Sequence, residues 1–182
     1  MKAKEYDNIV LIGMPGVGKS TAGVIAAKQL GMRFEDSDIL IQHREKKLRR
    51  QRIDEKGIDG FLGIENDVLK GIEDKGLLIA TGGSAVYSSE AMEYLQRNSL
   101  IIYLHLDLND LAMRLSDLKH RGVVLRDGQT LGDIYNERVP LYRKYADIEI
   151  DETGLDIEET VTLICERVSI YNYSQNTDLT NS

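Results

Sequence analysis

Ile9-Val10-Leu11-Ile12-Gly13-Met14-Pro15-Gly16-Val17-Gly18-Lys19-Ser20-Thr21 runs a short apolar segment into a glycine-rich turn. Ile9 to Ile12 is apolar and mostly β-branched, the pattern of a strand buried on both faces of a parallel sheet. Gly13, Gly18, Lys19 and Ser20 then match G-x-x-x-x-G-K-[ST], the phosphate-binding P-loop. Glycines let the backbone turn its N–H groups inward around a polyphosphate. Lys19 is expected to reach the β- and γ-phosphates, and Ser20 to place its hydroxyl on Mg²⁺. Residues 19–30 read as the following helix, whose N-terminus faces the phosphates with its positive dipole end. Gly13, Gly16, Val17, Gly18, Lys19, Ser20 and Thr21 are therefore the candidate nucleotide-binding set.

The chain has 182 residues, the size of one domain with a substantial core. Residues 1–170 are expected to form that domain, and 171–182 a polar, frayed tail. A net charge of −7 argues against a general nucleic-acid binder. No apolar run approaches the length of a membrane span, and no signal peptide opens the chain, so a soluble cytoplasmic protein is expected. The single cysteine, Cys165, excludes an intramolecular disulfide and a cysteine-based zinc cluster, and its apolar helical surroundings suit a core position. His43, His105 and His120 are too dispersed to suggest a ligand set.

Strand and helix patterns alternate along the chain. Strands are expected near 8–12, 32–38, 76–80, 100–106 and 148–150. Helices are expected at 19–30, 39–55, 61–75, 88–96, 109–118, 131–145 and 157–170. The 39–55 segment is basic, with Arg44, Lys46, Lys47, Arg49, Arg50 and Arg52, and Gly57 ends it. Residues 118–130 hold two glycines and a cluster of charges and form a candidate mobile lid. The alternation implies an α/β domain of three layers, αβα, with a central parallel sheet.

A P-loop alone specifies only a nucleotide phosphate. No Asn-Lys-x-Asp stretch of the kind that reads guanine is present. Asp36-Ser37-Asp38 instead ends the second strand, and in a doubly wound sheet the C-terminal strand ends face the ligand crevice. Carboxylates there can hold Mg²⁺ or accept a proton from an attacking hydroxyl.

With these pieces in place, residues 7–168 resemble the shikimate kinase family of small P-loop kinases. The resemblance rests on the P-loop, Phe34-Glu35-Asp36-Ser37-Asp38, Gly57…Phe61…Glu65, Thr81-Gly82-Gly83, Arg121, and Glu137-Arg138-Val139-Pro140-Leu141-Tyr142. It implies the P-loop kinase fold with a mobile lid and a substrate-binding segment over about 39–66. It also implies ATP and Mg²⁺ as cofactors. Asp38 would orient or deprotonate the substrate hydroxyl, and Asp36 would help Ser20 hold the metal. Gly82 and Gly83 would let the backbone approach the substrate. Arg114 would stack on adenine, Arg121 would close over the transferring phosphate, and Arg138 would pair with an acidic substrate group. Lys19, Asp38 and Arg121 are the candidate catalytic residues.

The chain leaves the family pattern at the substrate end. Leu62 stands where the family has an arginine that grips the shikimate carboxylate, Ile58 where it has an acid, and Ser84 where it has a third glycine. The lid reads Arg121-Gly122-Val123-Val124-Leu125 in place of Arg-Pro-Leu-Leu. Arg49 and Arg52, three residues apart on one helix face, are gained where apolar residues are usual, and one of them is a candidate replacement cation in the substrate pocket. The expected activity is ATP-dependent phosphorylation of a hydroxyl on a small anionic metabolite by a monomer acting without nucleic acid or membrane. Shikimate, an intermediate of aromatic amino acid biosynthesis, is the leading substrate. A different hydroxylated metabolite, a catalytically weak nucleotide-binding module, and a nucleotide kinase are the alternatives.

Overall fold

Five short strands build a parallel sheet in the order β2-β3-β1-β4-β5, with β1 (Asn8–Ile12), β2 (Arg33–Asp36), β3 (Leu77–Ala80), β4 (Ser99–His105) and β5 (Ile148–Asp151). This is the arrangement in a computed structural model, which describes residues 6–46, 49–116 and 128–180, their side chains excepting 49–54, 116 and 175–180. β1 lies between β3 and β4, with Leu11 opposite Ala80 and Ile12 opposite Tyr103. Every residue of β1 and β3 is buried, as a central strand covered on both faces requires. The chain turns to opposite sides of β1 to reach β3 and β4, so the crevice at the strand C-termini opens beside the loop that follows β1.

Seven described helices flank the sheet: α1 (Lys19–Leu30), α2 (Ser37–Glu45), α3 (Arg49–Lys70), α4 (Ser89–Asn98), α5 (Leu108–Ser116), α6 (Leu131–Tyr145) and α7 (Ile157–Thr180). Their ends follow from local chemistry. Gly31 closes α1 in the left-handed region and returns its N–H to Ala27 and Lys28. Thr130 and Asp133 close a capping box at the start of α6. Ser88 caps α4 by accepting from the Ala91 N–H.

Three boundaries differ from the sequence expectation. The helix expected over 39–55 stops at Glu45, where Lys46 takes a left-handed conformation and returns its N–H to Gln42. The chain then re-enters α3, which passes through Gly57 with a kink (φ 70°, ψ 179°) and ends at Lys70 rather than residue 75. Residues 171–180 continue α7 as helix instead of fraying. At the start of this extension Tyr6 donates to Asn172 at 2.5 Å and packs edge-on against Tyr171, which ties those two residues to the segment before β1. Cys165 is half-buried at the edge of the core, with its thiol against Gln29, rather than inside it. The 118–130 lid lies outside the described residues except for 128–130.

Candidate functional site

The turn after β1 wraps tightly because Gly13, Gly16 and Gly18 all take positive φ (149°, 88° and 105°), which side-chain-bearing residues rarely adopt. Gly13 also packs against β4, where a Cβ would lie 2.5 Å from the Leu104 carbonyl oxygen. Lys19 is 7% exposed and folds back into the loop, donating to the Gly13 and Met14 carbonyls at 2.8 Å each. Its ammonium is thereby held inside the glycine-rich turn.

Ser20 and Asp36 meet across the start of the crevice, with the Ser20 hydroxyl donating to Asp36 Oδ2 at 2.6 Å. The other oxygen, Oδ1, accepts from the Asp38 and Ile39 N–H groups at the start of α2. Asp36 is therefore fixed as a helix cap at one oxygen and presented to the P-loop at the other. Hydroxyl and carboxylate oxygens so placed form a hard donor pair of the kind Mg²⁺ takes. Asp38 follows on the first turn of α2, at the C-terminal end of β2.

Gly82 and Gly83 connect the two halves of the crevice. A Cβ on Gly82 would collide with Glu65 Oε1 and sit 3.3 Å from Asp38 Oδ1. A Cβ on Gly83 would lie 2.6 Å from Pro15 of the P-loop. The Gly82 N–H donates to the buried Ser37 hydroxyl, and the Gly83 carbonyl accepts from Tyr142 at 2.6 Å. The backbone here thus touches the nucleotide loop on one side and two carboxylates on the other. Ser84, at the family's third glycine position, donates to Glu65 Oε2 at 2.8 Å.

Arg138 is 1% exposed and donates through Nε to the Tyr87 hydroxyl at 3.1 Å. It lies in α6 one turn before Tyr142, whose ring stacks on Tyr103 with centroids 5.0 Å apart. Burial pushes the Tyr142 hydroxyl up, so it stays protonated and donates. Phe61 is fully buried and Leu62 half-buried. Of the expected substrate-side residues, Asp38, Gly82 and Gly83 come together. The side chains of Arg49 and Arg52 lie outside those described, as does Arg121 altogether.

On the far side of the P-loop, Arg114 on α5 donates to the Val17 carbonyl at 3.1 Å and reaches Glu152 at 3.4 Å. Both line a cavity of about 230 Å³ with Val17, Thr21, Leu155 and Ile157. Glu152 is 1% exposed, and burial pushes its carboxyl up to about 7, against the opposing pull of Arg114 and Lys19. No motif in the sequence marks Glu152, although its place one residue past β5 puts it at the ligand-facing end of the sheet. Tyr87 is likewise invisible to motif reading, since only folding brings it to Arg138.

Comparison with known proteins agrees with this geometry. The shikimate kinase family model matches residues 15–169. A shikimate kinase of Haemophilus influenzae (strain PittEE) is 36% identical over 173 residues, spanning 92% of this chain and 96% of that one. One from Thiobacillus denitrificans is 35% identical over 149 residues, 80% of this chain and 81% of that one. Among solved structures, shikimate kinase from Acinetobacter baumannii in complex with shikimate superposes with a TM-score of 0.83 at 28% identity, covering 91% of this chain and 94% of that chain. A glycine-rich loop holding its lysine, a capping aspartate aimed at that loop, and near full-length likeness in sequence and structure lead to one conclusion: the chain belongs to the shikimate kinase family.

Proposed function

We propose that this chain transfers the γ-phosphoryl group of ATP to a hydroxyl of shikimate. The observation that carries the reading is the Gly82-Gly83 segment, which packs on Pro15 of the nucleotide loop and on the Asp38 and Glu65 carboxylates. Because neither glycine carries a side chain, the nucleotide loop and both carboxylates close directly on this backbone, which brings Asp38 and the loop to one place. Phosphoryl transfer needs alignment and charge neutralisation more than covalent help. In this reading Lys19 neutralises the transferring group, and the backbone N–H groups of Gly16, Val17, Gly18, Ser20 and Thr21 cradle the phosphates. Ser20 and Asp36 would hold Mg²⁺, which screens phosphate charge when bound. Asp38 receives or orients the substrate proton. Arg114 offers its guanidinium to the adenine, Arg121 closes from the lid, and Arg138 pairs with the substrate carboxylate, supported by a buried position that favours tight pairing. A single domain over 1–170 and a cytoplasmic monomer that binds neither nucleic acid nor membrane belong to the same reading. The net charge of −7 supports the nucleic-acid part.

Leu62 favours a second substrate, a related hydroxylated acid, because a leucine offers no donor to a carboxylate at the position where the family pattern has arginine. Losing one partner of a buried charge pair costs about 2–5 kcal/mol of binding. The test is ADP release with Mg²⁺-ATP and shikimate beside a panel of hydroxy acids, polyols and nucleoside monophosphates, with Asp38→Asn as control. Turnover on shikimate that depends on Asp38 is expected. Asp38-dependent turnover only on another hydroxy acid would replace the substrate, and turnover on nucleoside monophosphates would overturn the reading.

A further inference from the structure

We propose that Glu152 is a positioning residue for the nucleotide: its carboxylate pins the Arg114 guanidinium against the Val17 carbonyl, presenting it to the base of bound ATP. This rests on the reading above, in which ATP is the donor and Arg114 meets the adenine.

Glu152 sits in an unfavourable place for an acid. It is 1% exposed, and among the described residues its Oε1 has no hydrogen-bond partner. Its backbone is already satisfied, since its N–H donates to the His105 carbonyl and its carbonyl accepts from Leu155. A buried, half-satisfied acid lowers stability, and its other oxygen, Oε2, meets the Arg114 guanidinium at 3.4 Å. That contact has a directional consequence. One guanidinium nitrogen serves both Glu152 Oε2 and the Val17 carbonyl, which anchors one corner of the plane beside the P-loop. Arginine stacks on flat π-systems through its face, and an anchored plane loses less freedom when a base arrives. The cavity of about 230 Å³ that both residues line, bordered by Val17, Thr21 and Ile157, is where such a base would enter.

The charges around Glu152 are mixed. Arg114 on α5 and Lys19 on α1 favour its ionised form; Asp151 on β5 opposes it, and burial outweighs them all, pushing its carboxyl up to about 7. Asp156 before α7 lines the same cavity, and His105 on β4 leans toward Asp151 at 3.6 Å. The clamp on Arg114 therefore tightens as pH rises through neutrality and slackens below it.

The experiment is calorimetric titration of the full chain with ADP from pH 6 to 8, for wild type, Glu152→Gln, Arg114→Ala and the double variant. Glu152→Gln is expected to weaken ADP about three- to tenfold at pH 8, the scale of one charge-assisted contact. It should have no further effect once Arg114 is gone, and KM for ATP should rise while kcat is held. An unchanged affinity, or an equal loss in the Arg114→Ala background, overturns the proposal. Should Glu152→Gln fail to fold, wild type and Arg114→Ala carry the test. The gap in their ADP affinities must widen from pH 6 to 8, and a constant gap overturns the clamp. Wild type that binds no ADP removes the kinase reading and this proposal together, a result distinct from normal binding that ignores Glu152.

Discussion

Lys19 and Gly82 show how much one position carries in this fold. Lys19→Met keeps most of the aliphatic volume and removes the charge held 2.8 Å from the Gly13 and Met14 carbonyls. Phosphoryl transfer should fall by roughly 10²–10³-fold or more, as when a preorganised charge-stabilising donor is lost. Circular dichroism should report an intact fold, and retained turnover would remove the P-loop assignment. Gly82→Ala places a methyl group against the Glu65 carboxylate. It should cost about 1–3 kcal/mol by overpacking and raise KM for the acceptor more than KM for ATP, as denaturant melts and steady-state kinetics would show. Leu62→Arg tests the substrate side: a lower KM for shikimate, by about tenfold, is expected if a second cation adds one charge-assisted contact. An unchanged KM would mean that Leu62 does not face the acceptor carboxylate.

At the scale of elements, α6 matters because it carries both Arg138 and Tyr142 into the crevice. Its start is held by the Thr130–Asp133 capping box, which also keeps the Asp133 carboxyl below the usual carboxylate range through the Thr130 hydroxyl and N–H, both of which donate to it. Thr130→Ala should lose about 1 kcal/mol and lower Tm by about 2–4 °C in a chain of this size. The helix pattern over 131–145 was legible from apolar spacing, and its bounds coincide with Leu131–Tyr145. The break at Lys46 was not. A left-handed lysine carries no glycine signal, and the long basic run conceals the end of α2. The extension of α7 was hidden for a different reason. Its residues are polar and read as solvent-facing chain, and the contact at its start, from Tyr6 to Tyr171 and Asn172, comes from more than 160 positions earlier.

For the molecule as a whole, Glu152 makes stability depend on pH in the direction opposite to an ordinary paired acid. Its folded-state carboxyl is pushed up to about 7, above the value near 4.3 of an unfolded glutamate, so the folded protein holds this proton more tightly. That contribution is complete below about pH 4.3 and is lost as pH climbs to about 7. Chemical denaturation at pH 6 and 8 should find Glu152→Gln gaining on wild type by about 1–3 kcal/mol at the higher pH. A pH-independent difference would show that the carboxyl is not titrating there. The sequence by itself determined the order of strands and helices, the phosphate loop and the acidic end of β2. Each is written in neighbouring residues whose spacing local backbone chemistry reads directly. It determined the departures at Leu62 and Ser84 as identities, without their surroundings. Only the tertiary structure decided that Ser84 would meet Glu65, that Tyr87 would meet Arg138, and that Glu152 would be buried beside Arg114. Those contacts join residues 19, 51 and 38 positions apart, and they arise because parallel strands bring all their C-terminal ends to one edge. That convergence belongs to the sheet order, with β1 between β3 and β4, and to no single stretch of the chain.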